Sequence, residues 1–421
     1  MVLIGIDDTD SATAGMCTTY VATALAERLT DAGAAVGMPY LIRLNPAAEH
    51  KTRGNAAVAF ETDASVGSSC EHAKRVIEEH ACIDAAGTDP GLVIADHPIA
   101  AMPRAVRRFS ITCLHRIATM DTAGELAEAY GYVQHGWGTG RGIIGALAAI
   151  GAMATHQPWS YELIAYRFPA RWGTSRGVAP ESVAIASSMT YPAVWDSYDD
   201  TAEYPVCVPR TPCPVLYGIR GESPAAVQEA AAAIGSESVM NRQIFRTNQG
   251  TDAHIHAPEV PLRHRTAYRL PGSIVASPHT VEGGHVFVDV MTPAGKITAA
   301  AFEPTKGFRD VIRALVPGDR ITMYGTHADG QVNLEKIRVR ELRRHSWETP
   351  PCPRCDARMS SAGRDAGYRC GRCGTSAAGR VRTAMSRSIA TGWYEVPPSA
   401  RRHLARPLVR HPTRAPITPP V

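Results

Sequence analysis

The sequence predicts an α+β multidomain protein: an α/β unit, a ferredoxin-like unit, an OB-fold β-barrel and a zinc ribbon. Three observations predict it. Short apolar runs alternate with helical stretches over the first 200 residues, opening on VLIGIDDTD. Five short strands with turn signals follow between residues 268 and 342. Two CxxC pairs then stand close together, Cys352 with Cys355 and Cys370 with Cys373. At 421 residues the chain exceeds one typical domain, for which about 150 residues is a soft guide.

The chain is organised around residues 2 to 29. Val2 to Ile6 is a short apolar run, consistent with a buried strand. It leads into Asp7, Asp8 and Asp10 and a turn of small residues, Ser11 to Gly15. A helix should begin at Thr18 or Thr19, with Tyr20, Val21, Leu25 and Leu29 as its apolar face and Gly33 as its stop. Clustered carboxylates are hard oxygen ligands of the kind Mg²⁺ accepts alongside nucleotide phosphates. A helix N-terminus draws anions, so a Thr there could take or relay a phosphoryl group. The alternative is an acidic loop followed by a Thr N-cap.

Hydrophobic content of 44% is enough for buried cores, and a net charge of +4 is too small to define a partner. The distribution says more. Residues 381 to 421 hold seven Arg against one Glu, and Arg338, Arg340, Arg343 and Arg344 precede them, a footprint that suits a polyanion. Acidic residues arrive at position 7 without a basic n-region, so no signal peptide is expected. Ile143 to Ala154 is too short to span a bilayer, and six of the ten Cys are scattered. The expectation is a soluble, cytoplasmic protein with no membrane partner.

Residues 40 to 60 read as two strands around a polar loop carrying Arg43, Asn45, Lys51, Thr52, Arg53 and Asn55. Beside the acidic loop these cations would suit a triphosphate or an RNA backbone; a solvated basic loop is the other reading. Helices are expected over 66 to 82, 103 to 109, 123 to 130 and 143 to 152, with a strand at 92 to 95. Gly138, Gly140, Arg141 and Gly142 open the last helix, either as a phosphate-cradling loop or through tight packing at Gly145 and Ala148. Residues 173 to 203 read as irregular. A strand near 206 to 223, a helix over 224 to 234 and a strand at 243 to 247 form one βαβ unit, half of a ferredoxin-like domain. Residues 57 to 112 could contribute the other half. Asn248 and Asp252 end that unit as ligand-binding or Asx-turn residues.

The five strands after Tyr268, with a helical segment at Phe308 to Leu315, describe an OB-fold, which binds single-stranded nucleic acid or acts as a scaffold. Four Cys in two knuckles give a closed tetrahedral site for structural Zn²⁺. Arg354, Arg358, Arg364, Arg369 and Arg372 surround it. The tail interleaves Trp393 and Tyr394 with cations and turns Pro-rich, with disorder expected over 411 to 421. The boundaries read as 1–200, 201–262, 263–345, 346–380 and 381–421.

GIDDTDS, GMCTTY, LIRLNP, KTRGN, GRGIIGALAAIGA, ELIAYR, TPCPVLYGIRGE, EGGHVF, AAFEPTKGFR and the ribbon followed by GWYEVPPSARRHL resemble the archaeal tRNA agmatinylcytidine (agmatidine) synthase family, in the same order over nearly the whole chain. That resemblance implies a Thr-containing kinase-like domain over 1–200, followed by the ferredoxin-like domain, OB-fold and zinc ribbon. It implies an ATP-dependent C–N ligase that attaches agmatine to C2 of the wobble cytidine of isoleucine tRNA (CAU anticodon), so that AUA is read. ATP is cleaved to AMP, the C2 oxygen is activated by phosphorylation, and the agmatine amine displaces the phosphate. Carried over by residue, Asp7, Asp8 and Asp10 hold Mg²⁺ and phosphates, and Thr18 matches the phosphorylated Thr. Arg43, Lys51, Arg53 and Asn55, with Gly140, Arg141 and Gly142, contact the triphosphate or RNA. Asp252 and Glu222 are candidates for agmatine. An ATP-dependent small-molecule kinase with scaffold modules and a non-catalytic tRNA-binding factor are the alternatives.

Overall fold

The computed structural model describes residues 1–52, 54–155 and 158–411. Its first part runs β1 (Val2–Asp7), α1 (Thr18–Asp31), β2 (Tyr40–Arg43), β3 (Ala56–Thr62), α2 (Val66–His80), β4 (Gly91–Ala95), α3 (Arg104–His115), α4 (Met120–Ala129), β5 (Val133–Gly136) and α5 (Gly142–Met153). It continues through β6 (Ser160–Arg167), α6 (Pro180–Thr190), β7 (Val194–Trp195), β8 (Val215–Gly221), α7 (Pro224–Ala233) and β9 (Val239–Thr247). These strands form one nine-stranded sheet in the order β5-β4-β1-β3-β2-β9-β6-β8-β7. Neighbours are antiparallel except at the seam, where β9 runs parallel to β2.

The alternation within β1 sets the layers, since successive strand side chains face opposite ways. Val2, Ile4 and Ile6 pack with Val21, Leu25 and Leu29 of α1 and with Val76 and Ile77 of α2. Leu3 faces the other side, where Val106 and Phe109 of α3 meet Ala146, Leu147 and Ile150 of α5. Helix α5 is buried along its whole length except at Ile144. A sequence of Gly, Ala and Ile permits this, because small side chains let its backbone lie directly on the sheet.

The sheet corrects three expectations. Strand β6 lies between β8 and β9, so a division at residue 200 cuts through adjacent strands. The partners of the β8-α7-β9 unit are β6 and β7, whereas β3 and β4, from the 57–112 stretch, flank β1 instead. Residues 180–190, expected to be irregular, form α6, which starts at Pro180 and buries Val183, Ala186 and Thr190. Its short apolar face, set between polar turns, gave little periodicity to read.

The barrel comprises β10 (Thr266–Ile274), β11 (Val286–Thr292), β12 (Gly295–Ala301), α8 (Phe308–Arg313), β13 (Arg320–Ala328) and β14 (Gln331–Glu341). It closes through β10–β13, β13–β14, β14–β12, β12–β11 and β11–β10 pairings. Val286, Val288 and Val290 alternate into its core beneath Phe308 and Ile312 of α8. The ribbon follows, bracketed by the pairing of His345–Glu348 with Val381–Ala384.

The described part of the predicted basic tail is built into the fold. β15 (Gly392–Glu395) adds to β14, and Trp393 is buried against Tyr324 and His411. The chain then returns as a strap towards the nine-stranded sheet. Residues 412–421, where disorder was expected, lie outside the described residues. Among the described residues no helix is long and apolar enough to cross a membrane.

Candidate active site

The strap ends beside a cavity of about 550 Å³ that straddles the seam between β2 and β9. Asp7, Asp8, Asp10, Thr18, Arg43, Lys51, Asn55, Arg141 and Gly142 all line it. These are predicted site residues brought together from separate stretches of the chain. Gly140 lies outside the lining, and Arg53 lies outside the described residues.

Asp7 ends β1 with its carboxyl against the N-terminal turn of α5. A Cβ at residue 145 would stand 1.7 Å from Asp7 Oδ2, so that position must be Gly. Burial pushes the Asp7 carboxyl well above the usual carboxylate range, and the charges of Asp8 and Asp10 add to the effect. Asp8 has a left-handed backbone (φ 58°), which turns its side chain back towards α5. There Arg141 Nη2 donates to Asp8 Oδ2 at 3.1 Å and lies 3.2 Å from Asp89 Oδ2. Burial raises the Asp8 pKa while the Arg141 charge opposes it. The Asp10 backbone carbonyl accepts from the Thr52 and Thr88 hydroxyls, which fixes the acidic loop.

Thr18 is the first residue of α1 and is buried. Its hydroxyl oxygen accepts from Thr9 Oγ1 at 3.1 Å. The residue in the N-cap position is Cys17, with no side-chain cap, so Thr18 is not an N-cap. Three amides of the Gly loop are engaged within the fold: Gly140 N donates to Trp137 O, Gly142 N to Asp89 O and Thr139 N to Asp89 Oδ1. Its contribution to the cavity wall is Arg141 and Gly142.

Opposite lie the cations. The backbone of Arg43 is pinned by Asn248, whose Oδ1 accepts from Arg43 N and whose Nδ2 donates to Arg43 O. Asn248 is thus a backbone clamp across the seam. Lys51 donates to Ala48 O, and burial, then Arg402 and Arg265, lower its pKa. Asn55 donates to Asn45 O from a left-handed backbone (φ 46°), fixing the loop.

Several lining residues carried no local signal in the sequence. Glu162 sits on β6 and Arg220 on β8, and His403 arrives from the strap. Asp89, just before β4, holds Arg141 from behind. His403 packs over Gly54, and burial followed by the charges of Arg43 and Arg220 pushes its pKa well down, so the ring is neutral. Chain-distant residues such as these are found by sheet pairing, not by spacing.

Asp252 and Glu222, the candidates for agmatine, are held by other partners. Both oxygens of Asp252 accept from Lys336 Nζ, at 2.8 and 2.6 Å, and one also accepts from Arg406 N. Glu222 accepts from Arg410 and Trp195. Neither lines the cavity. Arg401, buried in the same strap, pairs with Asp196 and Glu395.

The four Cys thiols meet as expected, all ligand atoms within 4.8 Å of one another. Sγ separations of 3.4 Å for Cys352–Cys373 and 3.5 Å for Cys355–Cys370 approach the edge of a tetrahedron built on Zn–S bonds of about 2.3 Å. No other such group occurs among the described residues, so the three Asp are not pre-gathered to that degree. Arg354, Arg358, Arg364, Arg369 and Arg372 are all exposed around the ribbon.

A mixed α/β sheet with a cavity lined by charged residues, joined to a closed five-stranded barrel and a zinc ribbon, defines a multidomain enzyme with nucleic-acid-type modules. Residues 3–71 match the TiaS TCKD domain, 140–254 the TiaS FLD domain and 349–389 the TiaS C-terminal zinc ribbon domain. The isoleucine-tRNA 2-agmatinylcytidine synthetase TiaS of Haloquadratum walsbyi is 43% identical, with 100% of each chain covered. A crystal structure of TiaS in complex with its isoleucine tRNA and ATP matches with a TM-score of 0.90 and 42% identity over 99% of both chains. One of TiaS with the same tRNA, AMPCPP and agmatine gives 0.88 and 40%, again over 99% of both. The chain belongs to the isoleucine-tRNA 2-agmatinylcytidine synthetase family.

Proposed function

We propose that this protein uses ATP to attach agmatine to C2 of the wobble cytidine of isoleucine tRNA (CAU anticodon), in the cytoplasm. The observation that carries this reading is one cavity in which carboxylates, a helix-terminal hydroxyl and cations converge. It does so in a chain matched end to end by synthetases of that name.

The cytosine C2 carbonyl is a poor electrophile, and phosphorylating its oxygen supplies a leaving group. The agmatine amine then bonds to C2, the C2–O bond breaks, phosphate departs, and the amine proton passes to a base. Phosphoryl transfer depends mainly on positioning and charge stabilisation. Asp7 and Asp10 are the residues to hold Mg²⁺ with phosphate oxygens, since crowded carboxylates suit a divalent cation; the ion would neutralise phosphate charge. Asp8 fixes Arg141, and Thr18 receives or relays a phosphoryl group at the α1 terminus. Arg43, Lys51 and Asn55 shape the opposite wall. The wobble base must leave its stack to enter, at a cost of about a few kcal/mol.

The part of the sheet carrying β1 to β5 is the kinase-like unit. The order β9-β6-β8-β7, with α6 and α7 on one face, is a ferredoxin-like arrangement drawn from residues 160–247. The barrel and the ribbon, with its five exposed Arg, grip the tRNA body.

The test is nucleoside analysis of CAU-anticodon tRNA after incubation with the protein, ATP, Mg²⁺ and agmatine. The wobble cytidine should be replaced by its agmatine adduct, with ATP required. ATP consumption without adduct would point to a small-molecule kinase. Binding without either would point to a tRNA-binding factor.

A further inference from the structure

We propose that Glu162 is a positioning residue that sets Arg43 and Arg220 as a two-guanidinium clamp for a phosphoryl group, with Arg220 binding that group directly. The proposal rests on the reaction assigned above and names a binding element within its cavity.

The antiparallel register of β6 and β8 places Glu162 opposite Arg220, and Glu162 Oε1 lies 3.7 Å from Arg220 Nε. Its other oxygen lies 3.9 Å from Arg43 Nη2 and accepts from Gln249 Nε2. Gln249 Oε1 in turn accepts from Arg43 Nε at 3.3 Å, closing the group. Glu162 is 5% exposed, so it is a buried charge that needs partners. Gly218 makes room for it, because a Cβ there would stand 2.8 Å from Oε1.

Both Glu162–Arg separations exceed hydrogen-bonding distance. The carboxylate therefore aligns both guanidinium groups by charge without taking a hydrogen bond from Arg220 Nε. Arg220 Nε is buried and has no hydrogen-bond partner among the described residues. Arg43, Glu162, Gly218 and Arg220 all line the cavity. Asp196, held by Arg401, also acts on Arg220 through its charge, and the neighbouring His403 ring is neutral. Planar, doubly donating guanidinium groups match phosphate oxygens. The phosphoryl group comes from the nucleotide or from the tRNA backbone, and separate binding measurements distinguish them.

The experiment measures the affinity of the full chain for AMPCPP and for CAU-anticodon tRNA, each alone, in the wild type and in Arg220→Ala, Glu162→Gln and Glu162→Asp, with thermal melting alongside. Arg220→Ala is expected to weaken one ligand by about ten- to a hundredfold, the loss of a charge-assisted contact. Glu162→Gln should weaken the same ligand, Glu162→Asp should recover part of the loss, and the KM for agmatine should stay put. Loss on the AMPCPP arm assigns the clamp to the nucleotide, and loss on the tRNA arm assigns it to the RNA. Unchanged affinities in Arg220→Ala overturn the proposal. So does an equal loss on both arms with a lowered melting temperature, which would make the cluster structural. If Glu162→Gln does not fold, Arg220→Ala and Arg220→Lys decide. A wild type that binds both ligands yet forms no adduct would overturn the assigned reaction and leave the clamp standing.

Discussion

The Asp7 carboxyl at the end of β1 lies directly on the backbone of Gly145, where a Cβ would stand 1.7 Å from its Oδ2, so this one side chain joins β1 to the first turn of α5. The cavity-wall position of Asp7 and the packing of the helix are thus one contact.

Gly145→Ala is therefore expected to push Asp7 and α5 apart. Overpacking of this kind costs about 1–3 kcal/mol, and adduct formation should fall at least about tenfold through the displaced carboxylate. Denaturant melts and initial rates read the two effects. Normal activity with normal stability would contradict the close contact.

Glu335 is buried where the barrel meets the nine-stranded sheet. Burial alone would raise its pKa, but His254, with Nε2 at 2.9 Å, then Arg402 and Lys336, outweigh this and hold it at about 2. A depressed folded-state pKa contributes stability above the unfolded value of about 4.3, and that contribution is lost as pH falls towards 2. Stability should drop by on the order of a few kcal/mol across that window. The Glu335→Gln variant, measured by chemical denaturation at stepped pH, should show a flatter acid limb.

Arg401 in the strap is 6% exposed at its side chain and sits between Asp196 and Glu395. Removing it by Arg401→Ala leaves two carboxylates without their partner in the interior. A loss of about 3–5 kcal/mol is expected from breaking such a pair. An unchanged denaturant midpoint would show that the strap contributes little to the fold.

Zinc removal should act at a distance from the nucleotide. Cys370→Ser opens the Cys₄ site, so tRNA affinity should fall about tenfold or more while AMPCPP affinity stays within about twofold of the wild type. Equal loss of both would mean that the ribbon supports the nine-stranded sheet as well.

Local chemistry made β1, α1, the barrel strands and the Cys₄ spacing legible, because each is written in contiguous residues. Periodicity showed the strand ending in Asp7, and the CxxC pairs needed no partner elsewhere. What stayed hidden depends on pairing between distant segments. Glu162 reads as one polar residue in an apolar strand until β8 sets Arg220 beside it. The strap reads as a basic tail until Arg401, Arg406 and Arg410 find Asp196, Asp252 and Glu222. Those same pairings engage Asp252 and Glu222, since composition cannot tell a free carboxylate from one already held. The Gly loop was ambiguous for a similar reason, because whether its amides point at a ligand depends on Trp137 and Asp89.

The most direct measurement incubates the purified full chain with ATP, Mg²⁺, radiolabelled agmatine and in-vitro transcribed isoleucine tRNA with a CAU anticodon. A transcript with uridine at the wobble position serves as control. Label in the cytidine transcript alone, dependent on ATP and abolished by Asp7→Asn, is the predicted result. No label in the cytidine transcript, or equal label in both, would contradict the account.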